Sequence, residues 1–172
     1  MMKYKSEGQS LVECALLLPF MMVLMLGVLE IGRAIFITMK VTNGATAGVG
    51  YAAQNPAKAE DFTGIENAAL CDADGAMFPT HGPLNPVCNT TGVLTQSNIT
   101  PSVGCTCDGG VGNSCNPMPQ VGCSGFSCPA GSGIVVECVQ VQTTATYTPL
   151  FPYPGLPSQF VANGNAIMRV RK

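Results

Sequence analysis

Tryptophan is absent from this 172-residue chain, and histidine occurs once, at His81. Charge is scarce as well: 8 Lys and Arg and 10 Asp and Glu make up 10% of residues, against roughly 25% in an average soluble domain. Each shortage excludes something. A single imidazole, with no G-x-S-x-G and no H-E-x-x-H pattern, leaves no nucleophile–base pair and no zinc-protease helix to assemble. The ten acids offer no carboxylate pair that stands out as a glycosidase couple, and the lack of Trp removes the best sugar-stacking platform. We therefore expect no enzyme, no catalytic residue and no cofactor. A net charge of −2 without an extended basic cluster argues against nucleic-acid binding. The 47% hydrophobic content excludes a charged, disordered chain.

What is present falls into two regions. The first is an apolar run from Leu11 to Met39. Sixteen uncharged residues, Cys14–Leu29, separate Glu13 from Glu30; as a helix they extend roughly 24 Å, and Ala34–Ile37 can lengthen the span toward a bilayer core of about 30 Å. The second, Gly64 to Gly133, is rich in Gly, Pro, Asn, Ser, Thr and Cys. The flanks are asymmetric. Lys3 and Lys5 precede the run, whereas Lys58 is the one basic residue between Val41 and Met168, among seven acids. The positive-inside rule then predicts a cytoplasmic N-terminus and an exported body.

Cysteine usage agrees with export. Cys14 lies inside the apolar run; Cys71, Cys88, Cys105, Cys107, Cys115, Cys123, Cys128 and Cys138 follow it. Eight cysteines on an oxidising side form up to four disulfides, with about 105 connectivities open. A zinc site is disfavoured because there is no C-x2-C pair and His81 is distant. Asp72 and Asp74, in D-x-D-G, match only the middle of a calcium loop and are read as a turn. No metal site is expected.

The apolar run is too long for an ordinary signal peptide and contains ionisable residues. A carboxylate at the bilayer centre costs about 2.5–3.5 kcal/mol even on the gentlest scale, so it calls for a partner. Glu30 and Arg33, three apart on a helix, can pair with each other; Glu13 has no such neighbour. The segment Gly8-Gln9-Ser10-Leu11-Val12-Glu13 resembles the processing site of type IV prepilins. Gly8 through Pro19 (GQSLVECALLLP), together with Leu29-Glu30-Ile31-Gly32-Arg33-Ala34, resembles the TadE-like family of minor pilins or pseudopilins of tight-adherence (Flp, type IVb) pilus systems. The family pattern is close to G-x-x-x-V-E-F-A-L-x-x-P followed by G-x-x-E-x-G-R, and Cys14 stands where Phe is usual. Tyr147-Thr148-Pro149-Leu150-Phe151-Pro152 and the closing Ala166–Val170 are also similar to that family.

The resemblance implies a cut between Gly8 and Gln9, making Glu13 the fifth residue of the mature chain. Its carboxylate would meet the free amine of a neighbouring subunit, which makes its burial tolerable. Glu13, Pro19, Glu30 and Arg33 are the implied assembly and helix-packing residues. The implied partners are a prepilin peptidase, other pilin-like subunits and the major pilin, the assembly platform and the membrane, without nucleic acid.

Beyond the run, Val41, Ala45, Val49 and Ala52 continue one helical face, with Gly44, Gly48 and Gly50 suited to close packing. Asn55-Pro56 ends that helix. A second helix is predicted from Ala59 to Ala73, with acids in its first turn. Ile134–Thr148 and Phe160–Arg171 alternate as strands, and a third is expected near Val103–Cys107. The predicted fold is α+β and pilin-like: a long N-terminal membrane or filament helix followed by a small disulfide-rich antiparallel β head. Its parts are a leader (1–8), an apolar helix (9–55, membrane span about 11–37) and an extracytoplasmic head (56–172). The expected function is a minor pilin or pseudopilin of the inner membrane, needed for pilus assembly or surface adhesion and extracellular once assembled. The competing reading is a membrane-anchored module that binds a ligand or surface, with the helix a mere tether.

Overall fold

The computed structural model describes residues 9–74, 93–108, 115, 123–131, 133–150 and 157–171. The first element, α1 (Gln9–Ala52), is one helix of 44 residues that continues through Pro19, roughly 66 Å long. Its two halves differ in environment for a reason visible in their residues. From Leu11 to Leu26 every side chain is exposed, because Leu, Met, Phe and Val occupy all sides and no head element covers them. From Ile37 onward the apolar residues fall on one face. Val41, Ala45, Val49 and Ala52 are fully buried there, while Thr38, Thr42 and Thr46 face solvent and donate their hydroxyls to the carbonyls four residues back at 2.9, 2.9 and 3.0 Å.

The predicted second helix is interrupted. Asn55 caps a single turn, α2 (Pro56–Ala59), by accepting from the Lys58 amide at 2.8 Å. The chain then restarts as α3 (Phe62–Asp74). The break has a physical cause: Asp61 Oδ1 accepts from the Gly64 amide at 3.0 Å, the bond of an N-cap residue. Asp61 thus precedes the helix rather than sitting in its first turn. Its other oxygen accepts from the Tyr51 hydroxyl at 2.9 Å. Burial, then the hydrogen bond and charge of Asp61, push the Tyr51 phenol above its ordinary pKa. Ile65, Ala68, Ala69, Leu70, Cys71 and Ala73 are buried, and Phe62, expected on the same side, is half exposed. Asp72 and Asp74 lie on the last turn of α3, not in a turn after it.

Three antiparallel strands follow, β1 (Ile99–Asp108), β2 (Ile134–Tyr147) and β3 (Phe160–Arg171), with β2 central. The expected third strand is therefore present and longer than Val103–Cys107. In the register Val139 faces Val103 on one side and Met168 on the other. Along β2 the buried residues Val139, Val141, Thr143, Ala145 and Tyr147 alternate with exposed Gln142, Thr144 and Thr146. The buried face packs on α1 and α3. Of the two settings open to these glycines, packing within the chain or between subunits, Gly44 and Gly48 serve the first. A Cβ on Gly44 would lie 2.9 Å from the Ala69 carbonyl oxygen, and one on Gly48 3.2 Å from Val141. Gly50, by contrast, faces open space.

The reverse face of the sheet departs from the alternation. Val136 and Cys138, assigned to the polar side by their parity, are buried in a second small cluster with Cys115 and Ile167. The cause is covalent: Cys115 is bonded to Cys138, which holds the Cys115 side chain against that face.

Candidate functional site at the junction of helix and head

The family-like motif residues of α1 come together with the end of β2. Glu30 accepts two hydrogen bonds, one from the Tyr147 hydroxyl and one from the Leu150 amide at 2.7 Å. The Arg33 guanidinium stands 5.2 Å from the centre of the Tyr147 ring, close enough for a cation–π attraction. Tyr147 is itself buried, and its ring lies 6.4 Å from that of Phe160, at the start of β3. The expected ion pair between Glu30 and Arg33 is not formed. Both residues turn to Tyr147 instead, one at its hydroxyl and the other at its ring face. Both bonds end on a charged acceptor and are charge-assisted, which helps to hold the carboxylate in its half-buried position.

An apolar cavity of about 310 Å³ opens at this crook, lined by Gly27, Glu30, Ile31, Ala34, Tyr147, Pro149 and Phe160. Below it the helix stands free. Its 18-residue apolar stretch has a mean hydropathy of 2.4 and no buried residue, so α1 is long and apolar enough to cross a membrane. From Leu11 to Leu29 the rise is about 28 Å, close to the roughly 30 Å of a bilayer core.

The remaining sequence-predicted residues divide clearly. Gly8 lies outside the described residues, Gln9 begins α1, and Glu13 and Pro19 are exposed on its free half. Cys14 is a free, exposed thiol. Among the described residues that follow α1 three cysteine pairs are formed, Cys105–Cys123, Cys107–Cys128 and Cys115–Cys138, with Cα atoms 5.0, 5.6 and 5.5 Å apart. Cys71 is disulfide-bonded too, and Cys88 lies outside the described residues. The pairing clasps both faces of the sheet. Cys105 sits opposite Glu137 on the core side, and Cys107 lies two residues further along the same face. Cys138 points the other way, to Cys115. Among the described residues no group of three or more His, Cys, Asp or Glu could hold a metal ion. Arg169 and Asp108 form an ion pair across the strand ends. His81 lies outside the described residues.

Sequence reasoning missed Tyr147 and Leu150 as partners of Glu30. The one available signal was that Tyr147-Thr148-Pro149-Leu150 belongs to the C-terminal stretch similar to the family; nothing in it pointed 117 residues back to Glu30.

A single apolar helix standing out of a small disulfide-braced α+β head, and gripped at its neck, defines a helix-anchored head protein. Residues 8–49 match the model of the TadE-like protein family, so the chain carries a TadE-like segment that covers the free half of α1, the Glu30–Arg33 neck and the helix up to Val49, and none of the head beyond it. Searches of curated proteins and of solved structures returned no significant match.

Proposed function

We propose that this protein is a minor pilin-like subunit of a tight-adherence pilus, held in the inner membrane by α1 with its head outside, and cut after Gly8 before joining the filament or its assembly complex. The observation that carries the reading is the TadE-like match over residues 8–49, on a helix whose Leu11–Leu26 surface is entirely exposed. So much uncovered apolar surface calls for lipid or for other helices. The asymmetry of basic residues supports an N-terminus on the cytoplasmic side, and disulfides support a head in an oxidising compartment. The role is structural: the protein performs no chemistry, and its partners are the prepilin peptidase, the assembly platform, the major pilin and other pilin-like subunits.

Intact-mass measurement of the membrane-extracted protein, with and without a co-expressed prepilin peptidase, tests this. Loss of residues 1–8 only in the presence of the peptidase is the expected result. A chain that still begins at Met1 alongside a peptidase active on another prepilin would overturn it.

A further inference from the structure

The crook between α1 and the head is chemically two-sided. Its wall is apolar, built by Gly27, Ile31 and Ala34 from the helix and by Tyr147, Pro149 and Phe160 from the head. At its rim stands Arg33, exposed and, among the described residues, without an acidic partner. The Glu30 carboxylate, which could have neutralised it, is engaged by Tyr147 and Leu150. On the head beside the crook, Leu150 is 67% exposed.

We propose that this crook is a phospholipid site, taking one acyl chain against its apolar wall and the phosphate of an anionic headgroup against Arg33. The site rests on the membrane-anchored reading above and adds to it a specific lipid contact made by the head. Three observations select a lipid. The depth is right: with Leu11–Leu29 filling about 28 Å of hydrocarbon, Glu30 to Ala34 fall at the membrane–water boundary. The size is right: about 310 Å³ holds roughly ten groups of water size, at about 30 Å³ each, the scale of a chain segment rather than of a whole packed helix. The charge is right: an uncompensated guanidinium beside an aromatic ring is the pairing found at headgroup level, where Arg and Tyr anchor proteins to the interface. A second copy of α1, whose exposed Glu13 could also face Arg33, is the competing occupant that the test reads out.

The test uses the full chain in lipid nanodiscs of phosphatidylglycerol or of phosphatidylcholine, each doped with a phospholipid carrying a photoactivatable acyl chain. Labelled peptides are mapped by mass spectrometry. Labelling of the head around Tyr147–Leu150 and Phe160, in addition to the free helix, is expected, and more of it in phosphatidylglycerol. Ala34→Phe should lower head labelling about tenfold while labelling near Leu16 stays unchanged. Gly27→Phe, whose added side chain starts in open space, checks the same wall without crowding the head. Arg33→Gln should abolish the preference for phosphatidylglycerol. A head left unlabelled while α1 is labelled would overturn the lipid site and leave the anchor standing. So would unchanged labelling in both Phe variants, or cross-links from Ile31 to a second copy in place of lipid. Failure of the chain to enter the discs would overturn both the site and the membrane reading.

Discussion

The Thr143 hydroxyl donates a buried hydrogen bond of 2.8 Å to the main-chain carbonyl oxygen of Val41. It joins the central strand to the backbone of α1 at a point where both residues are fully buried. Gly164, directly across from Thr143 on β3, makes the approach possible: a Cβ there would lie 2.6 Å from the same oxygen. Thr143→Val keeps the shape and leaves Val41 its helical hydrogen bond, so it should cost only about 1 kcal/mol. Gly164→Ala forces the helix off the sheet and should cost about 1–3 kcal/mol. Chemical denaturation of the detergent-solubilised protein separates the two. A Gly164→Ala variant as stable as wild type would show that helix and sheet are not held this close.

Glu30 links the same helix to the far end of the sheet. Replacing it by Ala leaves the Tyr147 hydroxyl and the Leu150 amide without their acceptor. Hydrogen bonds to a charged group contribute about 1.5–3 kcal/mol, so the end of β2 should loosen locally while Val41–Ala52 stays packed. Hydrogen exchange reads this directly. The Leu150 amide should exchange faster in Glu30→Ala, and Tyr147→Phe should give a smaller increase because it removes one of the two bonds. Unchanged protection at Leu150 in Glu30→Ala would show that the neck is held by packing alone.

How much of this was legible beforehand follows from the range of each signal. The face Val41, Ala45, Val49, Ala52 and the strands β2 and β3 are written as local periods, and all three elements occur where those periods place them. Glu30 and Arg33 were legible as residues needing partners, but the partner was sought one helical turn away, where a helix offers neighbours, and lies instead on a strand 117 residues later. The interruption at Asp61 was misread for a similar reason. An acid near a helix start serves equally as cap or as first-turn residue, and the Tyr51 contact that goes with the cap is tertiary. Val136 and Cys138 fall by parity on the solvent side, because a distant cysteine tied on by a disulfide leaves no trace in alternation.

The Cys115–Cys138 bond yields a separable expectation. Cys115–Cys138 closes a separation of 23 residues, for which chain entropy gives a stabilisation of about 3 kcal/mol. The double variant Cys115→Ala, Cys138→Ala should lose about that much and expose the reverse face around Val136 and Ile167. The core between α1 and the sheet should persist. Thermal melting together with binding of an apolar dye would register both effects; a drop in stability without new dye binding would show that the face stays covered by other means.

Glu66 supplies a pH dependence. Burial on α3 raises its carboxyl pKa above the ordinary value of 4.5. The folded state therefore holds the proton more tightly than the unfolded chain. The corresponding stability is fully present below the unfolded value and is lost as pH rises through the folded one. Glu66→Gln removes that loss. Its melting temperature relative to wild type should rise between pH 4 and neutrality and level off above the folded pKa. A difference that shrinks as pH rises would show that the charged carboxylate is favoured in the fold.

Glu13 separates anchoring from assembly. Its side chain is exposed on the free half of α1, where none of the described residues neutralises it. In a bilayer or a helix bundle an unpaired carboxylate is costly, and the amine created by cleavage after Gly8 on a neighbouring subunit is the nearest compensating charge in the proposed assembly. Glu13→Ala removes the need for that partner together with the attraction. The variant should therefore remain membrane-anchored, and anchor at least as firmly, yet fail to co-purify with pilus components. Glu13→Gln should fail similarly, because it retains size and polarity but not charge. Membrane fractionation followed by pull-down of the assembled material distinguishes the possibilities. Normal incorporation of both variants would mean that Glu13 has no role in subunit contact, and the tether reading would then account for the helix.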